Sequence, residues 1–268
     1  MDAGLALFQA NNRAFKYGDG LFETIRVFEG RLPFLDFHFN RLKKGMQLLK
    51  FDIPDHYTSR FFASEIQKLI FGKGNHRVRL TVFRSAGGFY TPNDNRPLFL
   101  IETSRLEDST FNLNTKGLKI GLFDEIKLSG NLLSNLKTCN SLSYVLAGIY
   151  AKENGFDDCI LVNNSGNVAE CTSSNIFILN GKNIKSPALS EACVEGTLRS
   201  LIIGLAQNAG FQVAETKLKI ADIKKAEEVW LSNAIQGIRW VEKFDNVFFK
   251  NKIANQFVKS LNEKINLK

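Results

Sequence analysis

No run of apolar residues in this 268-residue chain approaches the roughly 20 needed to cross a bilayer, so no membrane partner is expected. Cysteine is scarce. The four present, Cys139, Cys159, Cys171 and Cys193, stand too far apart for a CxxC redox or zinc site, and read as buried free thiols. The three histidines, His38, His56 and His76, lack metal-ligand spacing, so no metal is expected. Met1 to Asn12 carries neither a basic n-region nor a long apolar h-region, which argues against a secretory signal and makes the cytoplasm the expected compartment. Basic residues outnumber acidic ones, 35 to 27, for a formal charge of +8. They are scattered and form neither stripe nor tail, so nucleic acid is not an expected partner. A preference for anionic small molecules accounts for the sign equally well.

What is present is the composition of a soluble globular protein, 44% hydrophobic and 23% charged, and long enough for two domains. Arg13 to Glu29 reads as a strand region that turns at Glu29-Gly30 toward Leu32-Pro33-Phe34 as a hairpin. Apolar residues recur at helical intervals over Asp36–Lys50 and again over Thr58–Phe71, before a Gly72-Lys73-Gly74 break. Val78, Leu80 and Val82 alternate with Arg77, Arg79 and Thr81, the pattern of a strand with two guanidinium groups on one face. Such a face needs an anion or an acidic neighbour. Leu98–Ile101 closes the first half as a strand. The polar stretch Leu106–Gly117 is the best linker, which sets domains of 1–112 and 113–268.

The second half carries the chemistry. Lys137 opens a helix in which Leu142, Val145, Leu146, Ile149 and Tyr150 are spaced to face a core. Two strands joined at Asn163–Asn167 then deliver Glu170. A lysine amine and a carboxylate are the groups that a pyridoxal phosphate enzyme needs most, the first for the cofactor aldehyde and the second for its ring nitrogen. Taken singly, each is more often a solvated surface residue. Farther on, Gly196-Thr197-Leu198 begins a helix whose first N–H groups and dipole suit an anion such as a phosphate, although the same residues also make an ordinary helix start.

Five ordered blocks support the cofactor reading. They are Tyr17–Arg26 (YGDGLFETIR), His38–Leu42 (HFNRL), Leu136–Asn140 (LKTCN), Val168–Asn175 (VAECTSSN) and Glu195–Arg199 (EGTLR). Together they resemble the class IV aminotransferase family over nearly the whole chain. The resemblance implies fold type IV: two α/β domains, a smaller N-terminal one and a larger C-terminal one with a β-barrel-like sheet, usually as a homodimer. It places Arg41 on the cofactor phosphate, Ser174 and Asn175 along the cofactor pocket, and Arg79 on a substrate carboxylate, with a structural salt bridge as the alternative for Arg79. It implies a small amine and carboxylate substrate. The turn Asn233-Ala234-Ile235, at the cofactor site by the same resemblance, departs from the Gly-Thr-Ala of branched-chain enzymes and is similar to that of 4-amino-4-deoxychorismate lyases. Asn140 and Ser141 after the lysine, and Arg84 with Gly87-Gly88, lean the same way. The expectation is a lyase forming 4-aminobenzoate and pyruvate for folate synthesis, with a branched-chain or D-amino acid aminotransferase as the alternative. A basic binding module without catalysis stands as a third reading from another class.

Overall fold

The computed structural model describes residues 10–70, 72, 74–85 and 87–266. Most of the N-terminal stretch read for a signal therefore lies outside the described residues, as do positions 71, 73 and 86 of the helix end, the glycine break and the Gly-Gly loop. The chain does not begin as a strand. Arg13–Tyr17 is a short helix, α1, because the Asn12 side chain accepts a hydrogen bond from Phe15 N and Gly18, at φ 65°, ends it in the left-handed region. Then follow β1 (Gly20–Val27), α2 (Leu35–Leu48), α3 (Ser59–Gln67), β2 (Asn75–Arg84) and β3 (Pro97–Leu106). The three strands form an antiparallel sheet in the order β1-β2-β3. The expected hairpin to Leu32–Phe34 shrinks to an isolated bridge between Phe28 and Arg31, since β1 pairs along its length with β2. α3 stops at Gln67, short of the expected Phe71, and begins after Thr58, whose hydroxyl accepts from Phe61 N.

Alternation fixes which face of this sheet is covered. Leu21, Ile25, Val27, Val78, Leu80 and Val82 pack against Leu42 and Met46 of α2 and Phe62 and Ile66 of α3. Phe22, Thr24, Arg77 and Arg79 are left on the opposite face, and all four line a cleft.

The second sheet is larger. β4 (Leu118–Leu128), α4 (Leu142–Glu153), β5 (Asp158–Asn163), β6 (Val168–Cys171), β7 (Asn175–Asn180), β8 (Asn183–Pro187), α5 (Thr197–Asn208), β9 (Gln212–Thr216), α6 (Ile220–Lys224), β10 (Glu228–Asn233), β11 (Gly237–Phe244), β12 (Val247–Phe248) and α7 (Ala254–Asn266) follow in order. The strands run β6-β5-β4-β11-β10-β7-β8-β9, with β12 on β11. Crossovers through α4 and α5 make β4–β5 and β8–β9 parallel, as the lengths of those connections require. The sheet curls until β6 lies against β7 and β8 as a half-barrel.

Two of the expected details change. Lys137 does not open a helix: α4 starts at Leu142, and Lys137 lies in extended backbone before it. Nor do the large apolar residues of α4 face a core. Leu142 is 75% exposed and Val145, Leu146 and Ile149 are also exposed, while Ala147 and Ala151 are buried. Small side chains let the helix approach its sheet closely, so the bulky stripe is turned outward.

The segment between β3 and β4 contains no helix or strand, yet it is no free tether. Phe111 is buried among Phe28 and Phe34 of the first half and Phe177, Trp230 and Phe257 of the second. Arg26 donates to the carbonyls of Asp108 and Thr110 at 2.8 Å each and to that of Ile235. The first half's own core is dominated by rings: Phe62 is fully buried and meets Phe39, Tyr57, Phe61 and Phe99 at centroid distances of 5.1 to 6.1 Å. Phe62→Ala should therefore lower the unfolding free energy by about 3–5 kcal/mol, read from the midpoint of a urea transition at unchanged slope.

Candidate active site

The Lys137 amine is placed by backbone pairing. Phe22 N donates to Lys137 O at 2.8 Å, Cys139 N donates to Gly20 O at 2.9 Å, and Leu21 bridges Thr138, so residues 137–139 extend the first sheet beyond β1. Leu136 is buried in the first core and anchors this segment. The Lys137 amine then lies 4.5 Å from the Phe22 ring centre in a cleft of about 670 Å³ between the two sheets. Burial, followed by the positive charge of Arg41, pulls its pKa down to about 8, against Glu23 and Glu170, which oppose the shift. The neutral fraction at pH 7 thus rises to roughly a tenth, far above that of an ordinary lysine, which favours a nucleophile or base.

Glu170 faces the same cleft from β6. Its Oε1 accepts from the Tyr144 hydroxyl at 2.6 Å and its Oε2 from Val194 N at 3.1 Å. Burial raises its pKa to about 7, while Tyr144, Val194 and the charge of Lys137 work in the other direction. Burial and the carboxylate raise the Tyr144 phenol well above its ordinary value, so Tyr144 remains a donor.

The third group is an anion cradle. α5 begins at Gly196 without a side-chain cap, leaving its first N–H groups open to the cleft. A Cβ at Gly196 would stand 1.9 Å from Asn175 Oδ1, so only glycine fits there. Asn175 Nδ2 holds the preceding loop through Val194 O at 2.9 Å. Across the cleft, Asn233 Oδ1 accepts from Ile235 N and Gln236 N and so caps its own turn, while its Nδ2 reaches Ser174 Oγ at 3.2 Å. Among the described residues the buried Ser232 Oγ has no hydrogen-bond partner.

Arg41 is more committed than its sequence position suggests. Its Nε and one Nη bind the two oxygens of Glu23, at 2.8 and 2.5 Å, and its other Nη donates to Glu195 O at 2.6 Å. Burial alone would raise the Glu23 pKa, but Arg41 and His38, whose Nδ1 stands 2.6 Å away, hold it at about 2. Part of the guanidinium fork remains free toward the cleft. Arg79 lies with its guanidinium carbon 3.8 Å from the Phe22 ring centre. The structure brings Arg41, Arg79, Lys137, Glu170, Ser174, Asn175, Gly196, Thr197, Leu198, Asn233 and Ala234 to this one cleft. It adds Tyr144 and Ser232, which the sequence reading missed, and Arg77, which that reading put on the same strand face as Arg79 without a site role; the Glu23–His38 pair stands behind Arg41. Tyr144 shares a helical face with Ala147 and Ala151, the small-residue face that packs, and that spacing was the available signal.

The amino-transferase class IV family model matches residues 20–244. The chain belongs to that family. It is 28% identical over 269 residues to a putative branched-chain-amino-acid aminotransferase of Methanocaldococcus jannaschii, covering 98% of this chain and 90% of the relative. It is 27% identical over 256 residues to an aminodeoxychorismate lyase of Bacillus subtilis, covering 92% and 83%. A putative 4-amino-4-deoxychorismate lyase structure from Legionella pneumophila superposes with a TM-score of 0.84 at 26% identity, over 98% of this chain and 97% of that one. The two-sheet architecture is the fold type IV arrangement, and the chain is a pyridoxal phosphate-dependent enzyme. The non-catalytic reading falls away. For a class IV enzyme the cleft fits the cofactor on its own terms: the glycine-gated, uncapped α5 N-terminus, the unpartnered Ser232 hydroxyl and the free edge of Arg41 suit a phosphate, and Glu170 suits a basic ring nitrogen.

Tyr144 stabilises the ionised form of Glu170, which predicts a pH-dependent cost for Tyr144→Phe. With its folded pKa raised from 4.5 to about 7, Glu170 binds more protons folded than unfolded in that window, so its contribution to stability falls as pH rises through it. Removing the phenol raises the folded value further and prolongs that loss. The apoprotein variant should be about 1–3 kcal/mol less stable relative to the parent at pH 8 than at pH 5 in guanidinium titrations. An equal deficit at both pH values would contradict the assignment.

Proposed function

We propose that the chain is a 4-amino-4-deoxychorismate lyase, producing 4-aminobenzoate and pyruvate for folate synthesis. The observation that carries this reading is the wall facing Lys137 from β1 and β2. Beside Phe22 it presents Thr24, Arg77 and Arg79, polar and cationic groups suited to carboxylates and poorly suited to a branched apolar side chain. The Asn233-Ala234-Ile235 turn, closed by the Asn233 side chain, supports it as well. An aminotransferase acting on branched-chain or D-amino acids is the second reading, favoured by the name of the M. jannaschii relative.

The placement of these residues supports the following roles. Pyridoxal phosphate, when bound, supplies an electron sink for the pair left behind by a departing proton. Arg41, Gly196, Thr197, Leu198, Ser174, Asn175, Asn233 and Ala234 would hold its phosphate and ring, and Glu170 would stabilise a positive charge on its ring nitrogen. Arg79 fixes a substrate carboxylate. The Lys137 amine would carry the cofactor aldehyde at rest and, once released, would take the ring-carbon proton of the substrate. Breaking the C–O bond to the enolpyruvyl group then makes the ring aromatic, and enolpyruvate gains a proton to become pyruvate. Incubating holoenzyme with aminodeoxychorismate should release 4-aminobenzoate. Rapid full conversion of the bound cofactor to its pyridoxamine form by a branched-chain or D-amino acid, with no 4-aminobenzoate formed, would remove the lyase reading.

The domain boundary is assigned at 112/113, within the segment free of regular structure, and the compartment as the cytoplasm, where the four free thiols stay reduced. Among the described residues no helix is long and apolar enough to cross a membrane. A homodimer accounts for the outward stripe of Leu142, Val145, Leu146 and Ile149, with Leu132 also exposed. In sedimentation velocity the parent should run as a dimer and Val145→Asp/Ile149→Asp as a monomer; a monomeric parent would refute the dimer.

A further inference from the structure

Arg77 and Arg79 stand two residues apart on β2 and both line the cleft. Across the ladder with β1, Thr24 is opposite Arg79 and Arg26 is opposite Arg77. On the other side, β3 sets Glu102 opposite Arg79 and Ser104 opposite Arg77. Directly opposite residues share a face, so Glu102 is the carboxylate best placed to neutralise Arg79. The pair makes no ion pair. Arg79 instead lies over Phe22, the ring that also meets the Lys137 amine. Among the described residues neither the Arg77 nor the Arg79 side chain has a hydrogen-bond or ion-pair partner.

Arg26 does not relieve this excess of charge. It adds a third guanidinium beside Arg77, a like-charged cross-strand neighbour, and its two terminal nitrogens are held by the carbonyls of Ile235, Asp108 and Thr110, while its Nε is buried. Arg26 therefore contributes positive potential with its terminal nitrogens committed to backbone carbonyls and outside the cleft lining. Lys127 lines the cleft as well.

We infer that Arg77 determines specificity by holding the second carboxylate of a dicarboxylate substrate, while Arg79, closer to Lys137 through the shared Phe22 ring, holds the first. The inference rests on the reading of Arg79 as a carboxylate partner and names a second, outer subsite beside it. Alternate residues on a strand are about 6.5–7 Å apart, the separation of two acid groups carried on one small ring. An amino acid with one carboxylate and an apolar side chain would leave the outer guanidinium unused.

The test uses holoenzyme and two related probes, 3-(carboxymethoxy)benzoate, with two carboxylates, and 3-methoxybenzoate, with one. Calorimetric titration at fixed ionic strength should show the dicarboxylate binding roughly ten-fold tighter to the parent. Arg77→Gln should bring that ratio close to one, leave the affinity for 3-methoxybenzoate unchanged and leave the absorbance of the bound cofactor unchanged; Arg79→Gln should weaken both probes. A parent without dicarboxylate preference, or an Arg77→Gln variant that retains it, overturns the inference. Formation of 4-aminobenzoate by the parent is scored separately. Its absence alongside an Arg77-dependent dicarboxylate preference refutes the lyase and keeps the outer subsite, whereas its presence with an unchanged ratio in Arg77→Gln does the reverse.

Discussion

The site depends on two backbone hydrogen bonds, Phe22 N to Lys137 O and Cys139 N to Gly20 O. By chain position Lys137 belongs to the second half, but its backbone is laddered onto the edge of the first sheet. The amine is therefore held where the two halves meet, and any shift of one half against the other would move it relative to Glu170. Leu136, buried in the first core, ties the same segment down by packing. Phe28, Phe34 and Phe111 fill the junction from the other direction, which makes the interface a shared core and not a hinge lined by water.

Around that fixed amine the cleft sorts charge by depth. Arg41, His38 and Glu23 form a buried network in which a carboxylate kept at about 2 supports a guanidinium without neutralising the whole cleft. Glu170 is pushed the opposite way, to about 7, because burial there is met by a phenol and one backbone N–H and by no adjacent guanidinium. The two glutamates, Glu170 in the cleft and Glu23 buried behind Arg41, thus differ because one has neutral donors and the other a bidentate arginine. That separation lets Glu23 serve as a permanent anion while Glu170 stays responsive to a base placed beside it.

Sequence and structure agree best where a motif carries its own backbone signal. Gly196 before Thr197-Leu198 marked an uncapped helix start, and the alternation over Val78–Val82 marked a strand with two arginines on one face; both are local patterns with local causes. They fail on α4, where Leu142, Val145, Leu146 and Ile149 repeat as a core stripe would but lie at the surface. Periodicity reports that a helix has an apolar face. It does not report what covers that face when the opposite side, Ala147 and Ala151, packs through small size. Lys137 was misplaced onto that helix for a related reason: an edge pairing with residues more than a hundred positions earlier leaves no trace in neighbouring residues.

The sequence alone determined the family, the cofactor chemistry and the roster of groups that could serve it, because these are written in short blocks whose order and residue types are specific. It also determined the alternation that sends arginines and aliphatics to opposite faces of β2. Tertiary structure alone decided that Tyr144 donates to Glu170, that Arg41 is shared between Glu23 and the cleft, and that Glu102 leaves Arg79 unpaired. Each of these joins residues from separate elements through side-chain geometry, and such geometry exists only once both sheets are packed around the same space.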